Sequence, residues 1–232
     1  MSYLINLIGN TPLLNFDLGN INIWAKAEFL NPSGSIKDRP ALRIMQEAMK
    51  EGKLKRGDTL VEATSGNMGI SFAMLCAHYG IQCVLIMPKN MSEERKNAFK
   101  AYGARLIEVG DGDFDAAIKI RDEMAEKNRW FNGNQFGSEW NIRAHIDGTG
   151  SELWNQLIER DIKLDAFVAG TGTGGTLMGV GHVFNLLSPK TKIVAVEPAE
   201  SPAMSEGRRG MHGIQGIGDG SKFLVDLKKV DD

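Results

Sequence analysis

Five short apolar runs recur along the chain: "TLVEA" (59–63), "CVLIM" (83–87), "RLIEV" (105–109), "DAFVA" (165–169) and "KIVAV" (192–196). Their nearly unbroken apolar character suits strands covered on both faces. Helical patterns lie between them. Residues 67–79 follow Gly66 and stop at Gly80, and residues 93–102 follow the cap candidate Ser92 and stop at Gly103. Over 113–127, Phe114, Ala117, Ile118 and Met124 fall roughly along one face. A helix near 148–159 carries Leu153, Leu157 and Ile158, and another follows Gly175. Such alternation predicts βαβ units and an α/β fold built on parallel sheet. The polar stretch 128–150, which carries Gly and Asn, interrupts the rhythm and marks a boundary between two α/β lobes, 1–140 and 141–232.

In open parallel sheets ligands bind beyond the carboxyl ends of the strands. Three loops in this chain follow strands or precede helices and carry candidate chemistry. In "NPSGSIKDRPA" (31–41), Asn31, Pro32, Ser33 and Gly34 have the chemistry of a tight turn, with Gly34 free to take positive φ. Ser35 or Asp38 can cap a helix running to about Gly52, whose apolar stripe is Ala41, Ile44, Met45 and Ala48. Pro40 fits only the first turn of that helix. Lys37 thus stands at a helix N-terminus, where the positive end of the macrodipole disfavours an ammonium. A free lysine of pKa ~10.4 is neutral only about once in two and a half thousand at pH 7. Desolvation or a positive dipole raises that share, and the neutral amine is the form that attacks a carbonyl carbon. Spacing alone leaves a solvated lysine as the alternative.

The second loop, "EATSGNMGISFA" (62–73), offers the hydroxyls and amide of Thr64, Ser65 and Asn67, with Gly66 and Gly69 allowing close approach to a helix start. It suits a carboxylate or a phosphate, although a well-capped strand-to-helix turn uses the same residue types. The third, "GTGTGGT" (170–176), can surround a phosphate with backbone N–H groups and the hydroxyls of Thr171, Thr173 and Thr176. Gly170, Gly172 and Gly175 also satisfy G-x-G-x-x-G, and Glu197 follows Gly175 by 22 residues, close to where a dinucleotide fold places its ribose-binding acid. An NAD-dependent oxidoreductase therefore competes, but it leaves Lys37 unexplained. A monophosphate cofactor accounts for both.

Composition narrows the classes. The 232 residues are 42% hydrophobic and 24% charged, enough for a sizeable core without disulfides. The 27 basic and 29 acidic residues form no basic block, which argues against nucleic acid as a partner. Cys76 and Cys83 lie in apolar surroundings and read as buried thiols in a reducing cytosol. His78, His145, His182 and His212 have no metal-ligand spacing with them, so no metal is expected. With no leader after Met1 and no run of spanning length, a soluble cytoplasmic protein is expected and no membrane.

With "IGNTPLL" (8–14), "AYGARLI" (101–107), "GTGTGGTLMGVG" (170–181), "VEPAESP" (196–202) and "HGIQGIGDG" (212–220), these loops match a family in order and spacing across essentially the whole chain. The sequence resembles the fold type II (β-family, tryptophan synthase β-like) pyridoxal 5′-phosphate enzymes, and within them the cysteine synthases, or O-acetylserine sulfhydrylases. The resemblance implies two lobes, each a mostly parallel twisted sheet flanked by helices. It implies that Lys37 forms the Schiff base with the cofactor and later carries protons. Gly172, Thr173, Gly174, Gly175 and Thr176 would hold the phosphate, and Asn67 would bond the cofactor's 3′-oxygen. Thr64, Ser65, Asn67 and Gln135 would receive the substrate carboxylate, and Gly216 would line the cleft. The implied reaction is β-replacement, in which O-acetyl-L-serine loses acetate to leave an aminoacrylate and sulfide adds to give L-cysteine. Thiosulfate, serine or homocysteine chemistry are variants within the family. A homodimer and a cleft that accepts the C-terminal tail of serine acetyltransferase are also implied.

The chain departs from the family pattern twice. Met68 stands where the family usually has Thr, which removes a hydroxyl beside the carboxylate site. The sequence ends at "LVDLKKVDD", where the family continues with a segment bearing a Ser or Thr at the pyridine nitrogen. A chain curtailed there is expected to expose an unpaired sheet edge in its second lobe. A homologue with little activity that binds pyridoxal phosphate or a partner is accordingly the second reading.

Overall fold

A computed structural model describes residues 3–64, 66–218 and 223–232. The elements run α1 (Tyr3–Asn6), β1 (Leu13–Asp17), β2 (Asn22–Lys26), α2 (Asp38–Lys50), β3 (Thr59–Ala63), α3 (Asn67–Tyr79), β4 (Gln82–Pro88), α4 (Glu93–Ala101), β5 (Arg105–Val109) and α5 (Phe114–Asn128). They continue β6 (Phe131–Asn132), α6 (Glu139–Ala144), a π-helical turn (His145–Gly150), α7 (Ser151–Ile158), β7 (Ala166–Gly170), α8 (Gly175–Leu187) and β8 (Lys192–Val196). All five expected strands form, and the fold is α/β as anticipated.

The chain divides into two compact units, Ala41–Trp140 and the combination of Met1–Pro40 with Asn141–Asp232. The sequence pointed to a single cut at 140/141; here there is a second, inside α2. Residues 1–40 group with the C-terminal part for a physical reason. Leu13 belongs to the same apolar core as Leu153, Leu157 and Leu177, and Lys26 and Arg39 both pair with Glu152.

In the unit Ala41–Trp140, four parallel strands run in the order β5-β4-β3-β6. All of β3 is buried, as is β4 from Cys83 onward, the pattern expected of strands covered on both faces. Val61, Ala63, Val84 and Ile86 pack with Ala117 of α5, each large aliphatic contributing about 1.5–3 kcal/mol by leaving water. Gly80 takes φ 68° and returns its N–H to the Cys76 carbonyl, the left-handed cap that stops α3 where the sequence placed its end. Cys76 and Cys83 are buried free thiols. The Cys83 thiol is pushed well up, first by its bond with Cys76 and then by burial.

The other unit holds a parallel pair, β7 with β8, and an antiparallel hairpin, β1 with β2. Phe184, Val180 and Leu177 of α8 centre its core, with Leu153 and Leu157 of α7 and Ile193 of β8. Where a bare sheet edge was expected, the β8 side is partly paired. Asp231 N–H donates to the Ile193 carbonyl at 2.8 Å, and Ala195 N–H donates to the Asp232 carbonyl at 2.8 Å. The Asp231 carboxylate also accepts the Ile193 N–H at 2.7 Å. The last two residues therefore pair with β8 on the side away from β7.

Candidate functional site

The lysine turn is held by its own residues. Gly34 sits at φ 87° and donates its N–H to the Asn31 carbonyl at 2.8 Å. Asp38 opens α2 but reaches backward, accepting the Ser33 N–H at 2.8 Å and the Ser33 hydroxyl. Ser35 Oγ accepts the Lys37 N–H at 3.2 Å. Lys37 is thus the residue before a helix of 13 residues, half-buried, with its backbone fixed on both sides.

Below the turn lies a charged cluster. Arg39 donates to Glu28 and Glu152, with Nε–Oε2 and Nη1–Oε1 distances of 2.7 Å each, and Lys26 Nζ meets Glu152 at 2.7 Å. Burial alone would raise the Glu152 carboxyl, but hydrogen bonds from Arg39 and Lys26 outweigh it and hold the group down to about 2.

The glycine loop lies in the same unit. Gly174 takes φ 89° as the cap of α8, and the first turn of a helix leaves N–H groups without intrahelical acceptors. A Cβ on Gly172 would come within 2.5 Å of the Gly216 carbonyl oxygen, so Gly216 backs the loop. A Cβ on Gly175 would collide with Asn141 Oδ1. Asn141 Nδ2 donates to Thr173 Oγ1 at 3.0 Å. His145 lies within 3.4 Å of Thr176 Oγ1 through Nε2 and 2.9 Å of Thr149 Oγ1 through Nδ1. Burial holds the His145 imidazole well below its ordinary pKa, and the charges of Lys37 and Arg39 push the same way. Lys37 is therefore near enough to be felt by a side chain that touches the loop.

The unit Ala41–Trp140 carries the other predicted residues. Thr64 Oγ1 accepts the N–H groups of Gly66 and Gly69 at 3.1 and 3.2 Å, capping α3. A Cβ on Gly69 would meet the Thr64 methyl at 2.6 Å, and one on Gly66 would meet Arg95 Nε at 2.5 Å. Asn67 is exposed at the helix start, and Met68 is buried. Gln135 is buried, donating its side-chain N–H to the Ala63 carbonyl and its backbone N–H to Glu62, both at 3.1 Å. Thr64, Asn67 and Gln135 thus gather at the carboxyl end of β3; Ser65 lies outside the described residues. Glu62 is fully buried against Arg121 at 3.1 Å, and burial raises its carboxyl despite that partner.

Sequence reasoning passed over Asn141, His145, Arg95 and the Glu62–Arg121 pair. The spacing of Asn141 and His145, one helical turn apart, was a usable signal; the other two become visible only once distant segments meet. Among the described residues no group of three or more His, Cys, Asp or Glu could hold a metal, and no helix is long and apolar enough to cross a membrane.

Residues 4–232 match the family described as pyridoxal-phosphate dependent enzyme. The chain belongs to that family, and its fold is of type II. The relatives it resembles include cysteine synthases: that of Staphylococcus aureus is 45% identical over 219 residues, 92% of this chain and 70% of that protein. Cysteine synthase B of Campylobacter jejuni is 44% identical over 214 residues, 91% of this chain and 71% of that one. Among solved structures, the Entamoeba histolytica cysteine synthase has a TM-score of 0.91 at 35% identity, covering 100% of this chain and 71% of the other. O-ureido-L-serine synthase gives 0.93 at 36%, covering 100% and 74%, and a hydrogen sulfide-producing enzyme of Fusobacterium nucleatum 0.92 at 38%, covering 100% and 79%.

The cofactor of this family is pyridoxal phosphate, and the residues present fit it. The glycine loop offers a helix N-terminus, two threonine hydroxyls and backbone packed too closely for side chains, which suits a phosphate. The dinucleotide reading falls. Besides the family match, the Glu197 carboxylate accepts Met204 N–H at 2.9 Å, Ser205 N–H at 3.0 Å and the Ser205 hydroxyl at 2.6 Å, so it secures the following loop.

Proposed function

We propose that this chain carries out β-replacement on O-acetyl-L-serine, exchanging acetate for sulfide to form L-cysteine, with Lys37 as the residue that holds the cofactor. The observation that carries the reading is the staging of Lys37 immediately before α2, in the same compact unit as the glycine loop. Pyridoxal phosphate, when bound, supplies the electron sink for the substrate's α-carbon.

The protein supplies the rest. Lys37 Nζ is the amine that holds the cofactor and the base that takes the α-proton. Gly172, Thr173, Gly174, Gly175 and Thr176 hold the phosphate, Gly216 backs the loop, and Asn67 bonds the ring oxygen. Thr64, Ser65, Asn67 and Gln135 receive the substrate carboxylate. Thr64 suits that role because its oxygen already accepts two N–H groups, which directs its own hydrogen elsewhere.

Borohydride treatment of the protein with pyridoxal phosphate should leave a reduced adduct on Lys37, located by mass spectrometry and missing in Lys37→Ala. Protein that stays colourless with pyridoxal phosphate would refute the reading. The same preparation given O-acetylserine and sulfide tests turnover. Relatives titled O-ureido-L-serine synthase and hydrogen sulfide-producing enzyme make the incoming nucleophile the second variable, read out by competing sulfide against other nucleophiles.

A further inference from the structure

Asn141 stands in α6, and His145, four residues on, opens the π-helical turn that continues it. One segment therefore presents both side chains to the glycine loop, each on a different threonine. The approach is close by construction. A Cβ on Gly179 of α8 would lie 2.5 Å from His145 Cβ and 2.7 Å from the Ile142 carbonyl oxygen. Asn141 and His145 are each only 1% exposed, so water does not decide how their hydrogens point.

The direction of those hydrogens follows from chemistry. An amide nitrogen only donates, so Asn141 Nδ2 gives a hydrogen to Thr173 Oγ1, which also takes the Gly175 N–H at 3.4 Å. With both lone pairs of Thr173 engaged, its hydroxyl hydrogen must point to a third group. His145 has two arrangements while neutral. With the hydrogen on Nε2, the ring donates to Thr176 and Nδ1 accepts the Thr149 hydroxyl. With the hydrogen on Nδ1, Nε2 accepts from Thr176 and draws its hydrogen out of the loop.

The geometry points to Asn141 and His145 as positioning residues that turn both loop threonines into donors toward a phosphate, with His145 in its Nε2–H form. This rests on the phosphate reading of the loop given above. It engages both lone pairs of Thr173 and one of Thr176 before any ligand arrives, leaving each hydroxyl hydrogen for an anion, and donors set in this way need little rearrangement when one binds. Burial and the charges of Lys37 and Arg39 keep the ring neutral, which preserves the choice between the two forms.

Long-range proton–nitrogen spectra of the 15N-labelled protein with pyridoxal phosphate report which ring nitrogen of His145 carries hydrogen, the signal being assigned by its loss in His145→Gln. Hydrogen on Nε2 is expected; hydrogen on Nδ1 overturns the inference without a variant having to fold. Affinities for pyridoxal phosphate and for pyridoxal, which lacks the phosphate, give a second readout. His145→Asn, whose amide reaches only the Nδ1 position, should weaken pyridoxal phosphate by about tenfold or more, the effect of one hydrogen bond to a charged oxygen. Pyridoxal should change by no more than about twofold, and His145→Gln, with an N–H near the Nε2 position, should restore most of the loss. Equal weakening of both ligands would show a general structural role and overturn the inference. Unaltered protein that does not prefer pyridoxal phosphate over pyridoxal would overturn the phosphate reading itself, and the inference with it.

Discussion

Lys37 owes its placement to neighbours that react with nothing. Asp38 and Ser33 close the turn from one side and Asn31 from the other, with Gly34 between them in left-handed backbone. A Cβ added at Gly34 meets nothing within 4 Å, so the whole cost of changing it is conformational. Gly34→Ala should therefore lower stability by about 1–2 kcal/mol, the penalty for a left-handed L-residue. Urea unfolding should show a lower midpoint at unchanged slope. The turn was legible because Asn, Pro, Ser and Gly each have a distinct turn chemistry. That Asp38 reaches back to Ser33, while Ser35 takes the Lys37 N–H, was not, since sequence offers both as caps and only coordinates choose.

The helices and strands repeat this contrast. The strands "TLVEA" and "CVLIM" form because strands buried in a parallel sheet carry their signal in nearly unbroken apolar runs. The hairpin of β1 and β2 escaped notice because Phe16 and Ile23 are exposed, which erases the in–out alternation by which such strands are found. The 128–150 stretch read as a boundary, yet it contains α6 and the π-helical turn, whose job is to meet α8 rather than to display an apolar stripe. That meeting makes Gly179 a sensitive position. Gly179→Ala places a methyl against His145 and the Ile142 carbonyl, and overpacking of this kind costs about 1–3 kcal/mol. Calorimetry should show a lower Tm, and weakened binding of pyridoxal phosphate should accompany it, since the displaced segment carries Asn141 and His145.

For the whole molecule, the Glu152 cluster ties residues near the start of the chain to the C-terminal part. Its carboxyl is held at about 2, below the ordinary value near 4.5. A depressed acid contributes stability that is complete above its unfolded pKa and is lost as pH falls through its folded one. The contribution, discounted because the group is partly exposed, is about 1–2 kcal/mol. Glu152→Gln should flatten the stability profile between about pH 5 and 2, measured by urea unfolding at a series of pH values. Sequence could not reveal this cluster, because Arg39 and Glu152 are 113 positions apart. Synthesis must cross the same gap. The parallel strands of Ala41–Trp140 are all present once that continuous stretch has left the ribosome, whereas Arg39 waits about 6–23 s at ordinary elongation rates for Glu152 to appear. The segment bearing Lys37 is thus among the first made but acquires these neighbours late, and a nascent chain stalled before Glu152 would carry Lys37 without the acid that Lys26 and Arg39 share.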